Sequence, residues 1–147
     1  MKGKIFTTDE ADRMLPLVSR IADDIVVAYS EVNEALHAYQ SEETRAKAAP
    51  HAQAGTREPL LEQRTLLEKS NLAVERALDR FQKLIEEIEA LGGTLRDYER
   101  GSIDFYGEVD GEIVYLCWQR GEDHVGHFHK LDEGFTKRRP LRVPAAA

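Results

Sequence analysis

The chain is poor in most of the residues that mark specialised proteins. One Cys in 147 residues excludes an internal disulfide framework. It fits a reducing compartment, so the expected location is the cytoplasm. No uninterrupted apolar run approaches the roughly 18 residues that span a bilayer. The opening Met1-Lys2-Gly3-Lys4-Ile5-Phe6-Thr7-Thr8-Asp9-Glu10 turns acidic without an apolar core segment and does not read as a signal peptide, so no membrane partner is expected. Positive charge is in deficit, with 20 Lys+Arg against 27 Asp+Glu and a net charge of −7, which argues against broad nucleic-acid binding. There is no Gly-x-Gly-x-x-Gly, no Gly-rich loop followed by Lys-Ser/Thr, no Gly-x-Ser-x-Gly and no helical His-Glu-x-x-His. Nucleotide-dependent chemistry and the familiar hydrolase signatures therefore have no support.

What is present is periodic. Hydrophobic residues make up 41% of the chain, enough for one domain with a modest core over residues 1–147. Most of the negative charge lies in residues 1–91, whereas Tyr98, Phe105, Tyr106, Tyr115, Trp118, Phe128 and Phe135 crowd the last third. Two kinds of structure meet at Leu91-Gly92-Gly93.

Residues 7–91 predict a helical hairpin. Thr7-Thr8-Asp9-Glu10 has capping-box spacing, with Thr7 and Glu10 satisfying each other's amides. Leu15, Ala22, Tyr29 and Leu36 recur at sevens, and Val18, Ile25, Val32 and Tyr39 interleave three residues later. That is an a/d stripe over about four heptads. Pro16 removes a backbone hydrogen bond and is expected to kink the helix or split off a first turn. A loop is expected near residues 50–56. The second helix carries Leu60, Leu67, Val74, Phe81 and Ile88 at sevens, widened by Leu78 and Ile85, and Gly92-Gly93 ends it. Two such helices form an antiparallel pair. The width of the second stripe calls for another partner, and a homodimer through the helices is the expected answer.

Residues 92–141 predict a small antiparallel β region. Ser102–Val109 and Glu112–Gln119 flank Asp110-Gly111, a strong hairpin signal. Both faces of the second strand are apolar, so it is expected to be central and covered on each side. Val125–Leu131 reads as a third strand and Leu95–Tyr98 as a short edge strand. Gly134 to Pro140 reads as loop, and residues 142–147 as a disordered tail. The fold class is α+β: a long N-terminal antiparallel helical hairpin packed with a small C-terminal antiparallel β-sheet.

Candidate chemistry concentrates between Asp104 and Arg139. His127 and His129 are two apart on a strand and project from one face. They can offer two nitrogens to a divalent metal, with Asp104, Glu122 or the Cys117 thiolate completing the sphere and His124 nearby. Against this, histidines in a polar turn region are ordinarily plain strand residues. Cys117, between Leu116 and Trp118, reads first as a small core residue; a nucleophilic role requires a lowered pKa. Lys137-Arg138-Arg139, following Phe135, is the only dense basic run and can clamp a phosphate or carboxylate.

Phe6-Thr7-Thr8-Asp9-Glu10-Ala11 through Met14-Leu15-Pro16-Leu17-Val18 opens the chain. Gly101-Ser102-Ile103-Asp104-Phe105, Val114-Tyr115-Leu116-Cys117-Trp118, Gly121-Glu122, Phe128-His129, Leu131-Asp132, Gly134-Phe135, Arg138 and Pro140 close it. Together these stretches resemble the uncharacterised prokaryotic family called domain of unknown function 2203. The resemblance runs from about residue 5 to residue 141 and is most specific in the C-terminal half. It carries no activity to transfer, but it marks Asp104, Cys117, Trp118, Glu122, His129, Phe135 and Arg138 as the positions to watch. It implies a mixed metal site of Asp104, Glu122 and His129, with Cys117 as a further ligand, and gives His124 and His127 less weight. It equally suits a polar and aromatic pocket of Asp104, Trp118, Glu122, His129, Phe135 and Arg138, in which Arg138 receives a small anionic ligand.

Two functions follow. One is a non-catalytic dimeric binding or assembly protein with its pocket in the β region. The other is a metal-dependent, hydrolase-like enzyme using His129, Glu122 and Asp104. No complete catalytic constellation is legible, so binding is the favoured expectation.

Overall fold

A computed structural model describes residues 4–48 and 61–141. The loop expected near residues 50–56, Leu60 and the tail 142–147 lie outside the described residues. Two long helices are followed by a five-stranded antiparallel sheet, an α+β architecture.

Helix α1 spans Thr8–Ala48 and α2 spans Leu61–Ala90. The capping box forms as its spacing requires: the Thr7 amide donates to Glu10 Oε1 at 2.9 Å, and the Glu10 amide donates to Thr7 Oγ1 at 3.1 Å. The Thr7 amide, then the Lys4 ammonium, hold the Glu10 carboxyl below the ordinary carboxylate value. α1 runs through Pro16 as one helix, so no first turn splits off. Proline removes a single ladder bond, while Ala11, Leu15 and Val18 on either side are all buried and hold the segment in place. The heptad stripe is buried at Leu15, Val18, Ala22, Ile25 and Val32, and fades by Leu36. On α2 only Val74 and Ile88 are buried.

The chain divides into two compact units, cut within both helices at Val26/Val27 and Lys83/Leu84. In the unit from Val27 to Lys83 the helices run antiparallel. Tyr29 packs on Phe81 with ring centroids 5.8 Å apart, and Arg80 pairs with Glu31 at 3.1 Å.

The other unit holds the sheet and the adjoining ends of both helices. Its strands are β1 Gly93–Asp97, β2 Ser102–Val109, β3 Glu112–Gln119, β4 His127–Lys130 and β5 Arg139–Pro140, paired in chain order. Asp110 and Gly111 take positive φ values of 52° and 80°, the type I′ geometry that a two-residue hairpin needs. Residues 134–140, read as loop from the sequence, instead form a short 3₁₀ turn over Phe135–Lys137 and the two-residue strand β5. Two residues are too few for alternation to signal a strand. The Leu141 amide anchors this return by donating to the Gly126 carbonyl at 2.8 Å.

β3 is central, and its two faces differ. Register pairs Trp118 with Ile103, Leu116 with Phe105 and Val114 with Gly107. All six residues are buried. Gly93 links this face to α2, lying close to Ile88, Ile103 and Phe105. Phe6 closes one end edge-on against Phe105 at 5.2 Å, with its amide on the Tyr106 carbonyl at 2.7 Å. Arg120 pairs with Asp23 of α1, and the Val125 amide donates to Asp12 Oδ1 at 2.7 Å. The opposite face carries Asp104, Tyr106, Tyr115 and Cys117. It is polar and only partly covered, unlike the doubly apolar packing expected from Ile113, Tyr115 and Cys117.

Candidate functional site

Strand pairing assembles the site. Asp104 on β2 lies opposite Cys117 on β3, and β4 sets His127 opposite Cys117 and His129 opposite Tyr115. All these side chains leave the sheet on its polar face. One ligand-type atom each from Asp104, Cys117 and His129 lies within 4.8 Å of the others, and all three residues are buried. The Asp104 carboxylate is 1% exposed and the His129 ring 4%.

Asp104 Oδ2 accepts from Arg96 Nε at 3.0 Å and faces His129 Nε2 at 3.0 Å. Asp104 Oδ1 is buried without a hydrogen-bond partner among the described residues. The other ring nitrogen, His129 Nδ1, lies 3.0 Å from the Lys130 carbonyl. A carbonyl only accepts, so Nδ1 carries a proton. Nε2 then either donates to the carboxylate as part of an imidazolium or offers its lone pair. Burial first, then the nearby Asp104 charge, pushes the Cys117 thiol from its ordinary 9.0 up to about 12. The resting thiol is therefore protonated at neutral pH and is not an activated nucleophile.

Beside this cluster lies a second one. Arg138 meets Glu122 at 3.0 Å, stacks over the Phe135 ring at 4.3 Å and also interacts with the Cys117 sulfur. Burial pushes the Glu122 carboxyl up. The Arg138 hydrogen bond, the Gln119 amide and the Arg138 and His127 charges outweigh it and hold Glu122 below its ordinary value. His127 Nδ1 stands 3.7 Å from Glu122. His127 and His129 thus share a strand face but serve different neighbours.

A cavity of about 360 Å³ opens on the first cluster, lined among others by Arg96, Ser102, Asp104, Tyr115, His129 and Phe135. The residues expected to converge are therefore partly sorted. Asp104, His129 and Phe135 reach the cavity, while Glu122, Arg138 and His127 form the neighbouring group. Trp118 faces the helices on the other side of β3, 1% exposed, its indole N–H donating to the Glu122 carbonyl at 2.9 Å. His124 is exposed. Arg96 and Tyr115 were not singled out from the sequence. Arg96 sits on the short edge strand, where a bulge between Leu95 and Asp97 shifts the register by which its facing could be read. Its guanidinium lies over the Tyr115 ring at 4.7 Å. The signal available was the pairing of the edge strand with the strand that bears Asp104.

Two long helices followed by an antiparallel meander, with a buried Asp–His–Cys cluster beside a small cavity, define an α+β protein whose candidate site lies on one sheet face. Residues 4–141 match the family model described as "Uncharacterized conserved protein (DUF2203)", and the chain belongs to that family. No curated protein and no solved structure matches the chain. Among the described residues, no helix is long and apolar enough to cross a membrane.

Proposed function

We propose that this is a non-catalytic, dimeric binding protein whose sheet cavity takes a small anionic ligand with an apolar or aromatic body. The observation that carries this reading is Arg96. Its Nε is fixed on Asp104 and its plane on Tyr115, while its two terminal nitrogens have no partner among the described residues. A guanidinium held this way is pre-ordered to grip a carboxylate or phosphate through its free edge. Of the acidic residues lining the cavity, Glu133 is paired with Arg139 at 2.9 Å and Asp97 accepts the Glu99 and Arg100 amides. Tyr115, Leu131 and Phe135 give the apolar wall. Arg138, the anion receptor expected from the sequence, is already engaged by Glu122.

The helices supply the dimer. Once Val74 and Ile88 are buried, α2 still exposes Leu61, Leu66, Leu72 and Leu78 at 77%, 43%, 44% and 46%. Leu61 and Leu72, eleven residues apart, share one side of α2, and a second copy can cover them with the symmetry natural to homo-oligomers, as a coiled-coil bundle. A lone buried thiol suits the reducing cytoplasm.

Titration of the full chain with benzoate and with inorganic phosphate, followed by amide chemical shifts, tests the pocket. Saturable shifts at Arg96, Tyr115 and Phe135, abolished by Arg96→Met, are expected; equal binding by Arg96→Met overturns the reading. Light scattering that gives the 16.7 kDa chain mass across the micromolar range overturns the dimer.

A further inference from the structure

The buried cluster beside the cavity, into which Asp104 and His129 reach, is built beyond what gripping an anion requires. Asp104, Cys117 and His129 come from three adjacent strands, and each offers a different ligand type: a carboxylate oxygen, a thiol sulfur and an imidazole nitrogen. We infer that these three residues form a zinc-type transition-metal site, with the fourth position turned toward the cavity. This goes beyond the anion reading and stands whether or not that reading holds.

Three observations support it. The first is spacing. Ligand atoms about 2.0–2.3 Å from a tetrahedral zinc lie about 3.3–3.8 Å apart. Here the three atoms are within 4.8 Å of one another, so a closure of about 1–1.5 Å at most brings all three to bonding distance. The second is Asp104 Oδ1, which is buried and within no geometric hydrogen bond among the described residues, with the Cys117 thiol as the donor beside it. A buried carboxylate oxygen with only a weak thiol donor beside it is open to a stronger partner.

The third is the outer layer. A histidine that ligates a metal almost always donates its other ring N–H to a carbonyl or carboxylate, and ligating carboxylates are themselves hydrogen-bonded. His129 Nδ1 is on the Lys130 carbonyl, which turns Nε2 toward the cluster. Asp104 Oδ2 is held by Arg96. Arg138 lies against the Cys117 sulfur, where it favours thiolate, and its own charge is offset by Glu122. On coordination the Cys117 S–H proton, and any proton on His129 Nε2, leave to solvent while the sulfur and nitrogen lone pairs bind the metal. The Asp–Cys–His set also differs from the His129, Glu122, Asp104 and His127 set expected from the sequence. Glu122 and His127 fall in the neighbouring group with Arg138.

Cobalt(II) titration of the metal-stripped full chain tests the site. Cys117 is the only thiol in the sequence. A thiolate-to-cobalt charge-transfer band in the near ultraviolet therefore identifies it without ambiguity. The expected result is saturation at one equivalent, displacement by zinc, loss of the band in Cys117→Ser, and at least about tenfold weaker binding in His129→Gln and Asp104→Asn. His127→Ala keeps the band and the stoichiometry. Circular dichroism and Trp118 fluorescence report whether each variant is folded. Should Asp104→Asn fail to fold, the wild-type chain and His129→Gln still decide. A folded wild-type chain that takes up no zinc and shows no band overturns the inference, as does a band lost in His127→Ala but kept in His129→Gln. Benzoate titration of the chelator-treated protein and of Arg96→Met reads the anion site separately, so either can fail alone.

Discussion

Replacing Asp104 by Asn changes one oxygen to an amide at the centre of the buried cluster and keeps the shape. Its carboxylate accepts from Arg96 Nε and, where the His129 ring carries both protons, from His129 Nε2, both at 3.0 Å. His129 is almost wholly buried, so its charge-assisted bond carries the usual worth of about 1.5–3 kcal/mol. Arg96 is 43% exposed, and solvent reduces its share to about 0.2–1 kcal/mol. Asparagine can accept from one donor but must turn its own N–H₂ toward the other. The expected destabilisation is therefore about 2–4 kcal/mol. With a urea slope of about 2 kcal/mol per molar, the midpoint falls by about 1–2 M. Trp118, the single tryptophan, lies one residue from Cys117 and reports unfolding of the sheet unit by its fluorescence. A cycle with His129→Gln should give a coupling above 1 kcal/mol, and one with Arg96→Met a coupling below 1 kcal/mol. The exposed Asp132→Asn serves as a control within about 0.5 kcal/mol. Chain concentration is held constant, because association shifts apparent stability. A change below about 0.5 kcal/mol for Asp104→Asn would refute the reasoning, since it would mean that the carboxylate is solvated.

Three further outcomes are expected. The Cys117 thiol is held near 12, above its unfolded value near 9, so the metal-free native protein should resist thiol-disulfide reagents at pH 8 and react promptly in urea. Between those two values the unfolded chain binds fewer protons than the native one. Stability should therefore fall with rising pH by at most about 1.4 kcal/mol per unit, and Cys117→Ala should flatten that limb in alkaline denaturation curves. Glu122 has the opposite sign: its native value is lowered, so its contribution is present above the unfolded carboxyl value and is lost as pH falls through the native one. Glu122→Gln should accordingly weaken the acid dependence of the urea midpoint. Gly107 has no room for a methyl group. A Cβ there would stand 2.4 Å from Leu116 Cγ, and Leu116 is buried, so Gly107→Ala should cost about 1–3 kcal/mol by calorimetry or urea melts.

Most of the fold was legible because its signals are local or strictly periodic. The Thr7–Glu10 box, the heptads and the Asp-Gly turn each fix geometry within a few residues, and the boundaries Ser102–Val109 and Glu112–Gln119 followed from the turn alone. The site was legible in membership more than in arrangement. Asp104 and His129 meet because three strands pair in chain order, which alternation along one strand cannot reveal. The same limit separated Trp118 from the cavity: adjacent residues on a strand point to opposite faces, so proximity to Cys117 in sequence meant distance from it in the site. Arg96 was hidden by the bulge in β1, and β5 by its two-residue length.

The contacts of Phe6 also set an order of events during synthesis. Phe6 leaves the ribosome with the start of α1, but its partners Gly92, Phe105 and the Tyr106 carbonyl follow about a hundred residues later. At about 5–20 residues per second, that interval is about 5–20 s. Late in it, α2 has been made and can pair with α1 through Tyr29–Phe81 and Glu31–Arg80, whereas Val18, Ile21 and Ile25 still await the strands of their own unit. At that stage the nascent chain is a helical pair whose Val18, Ile21 and Ile25 are still uncovered. The buried cluster of Asp104, Cys117 and His129 is assembled last, when β4 docks on β3.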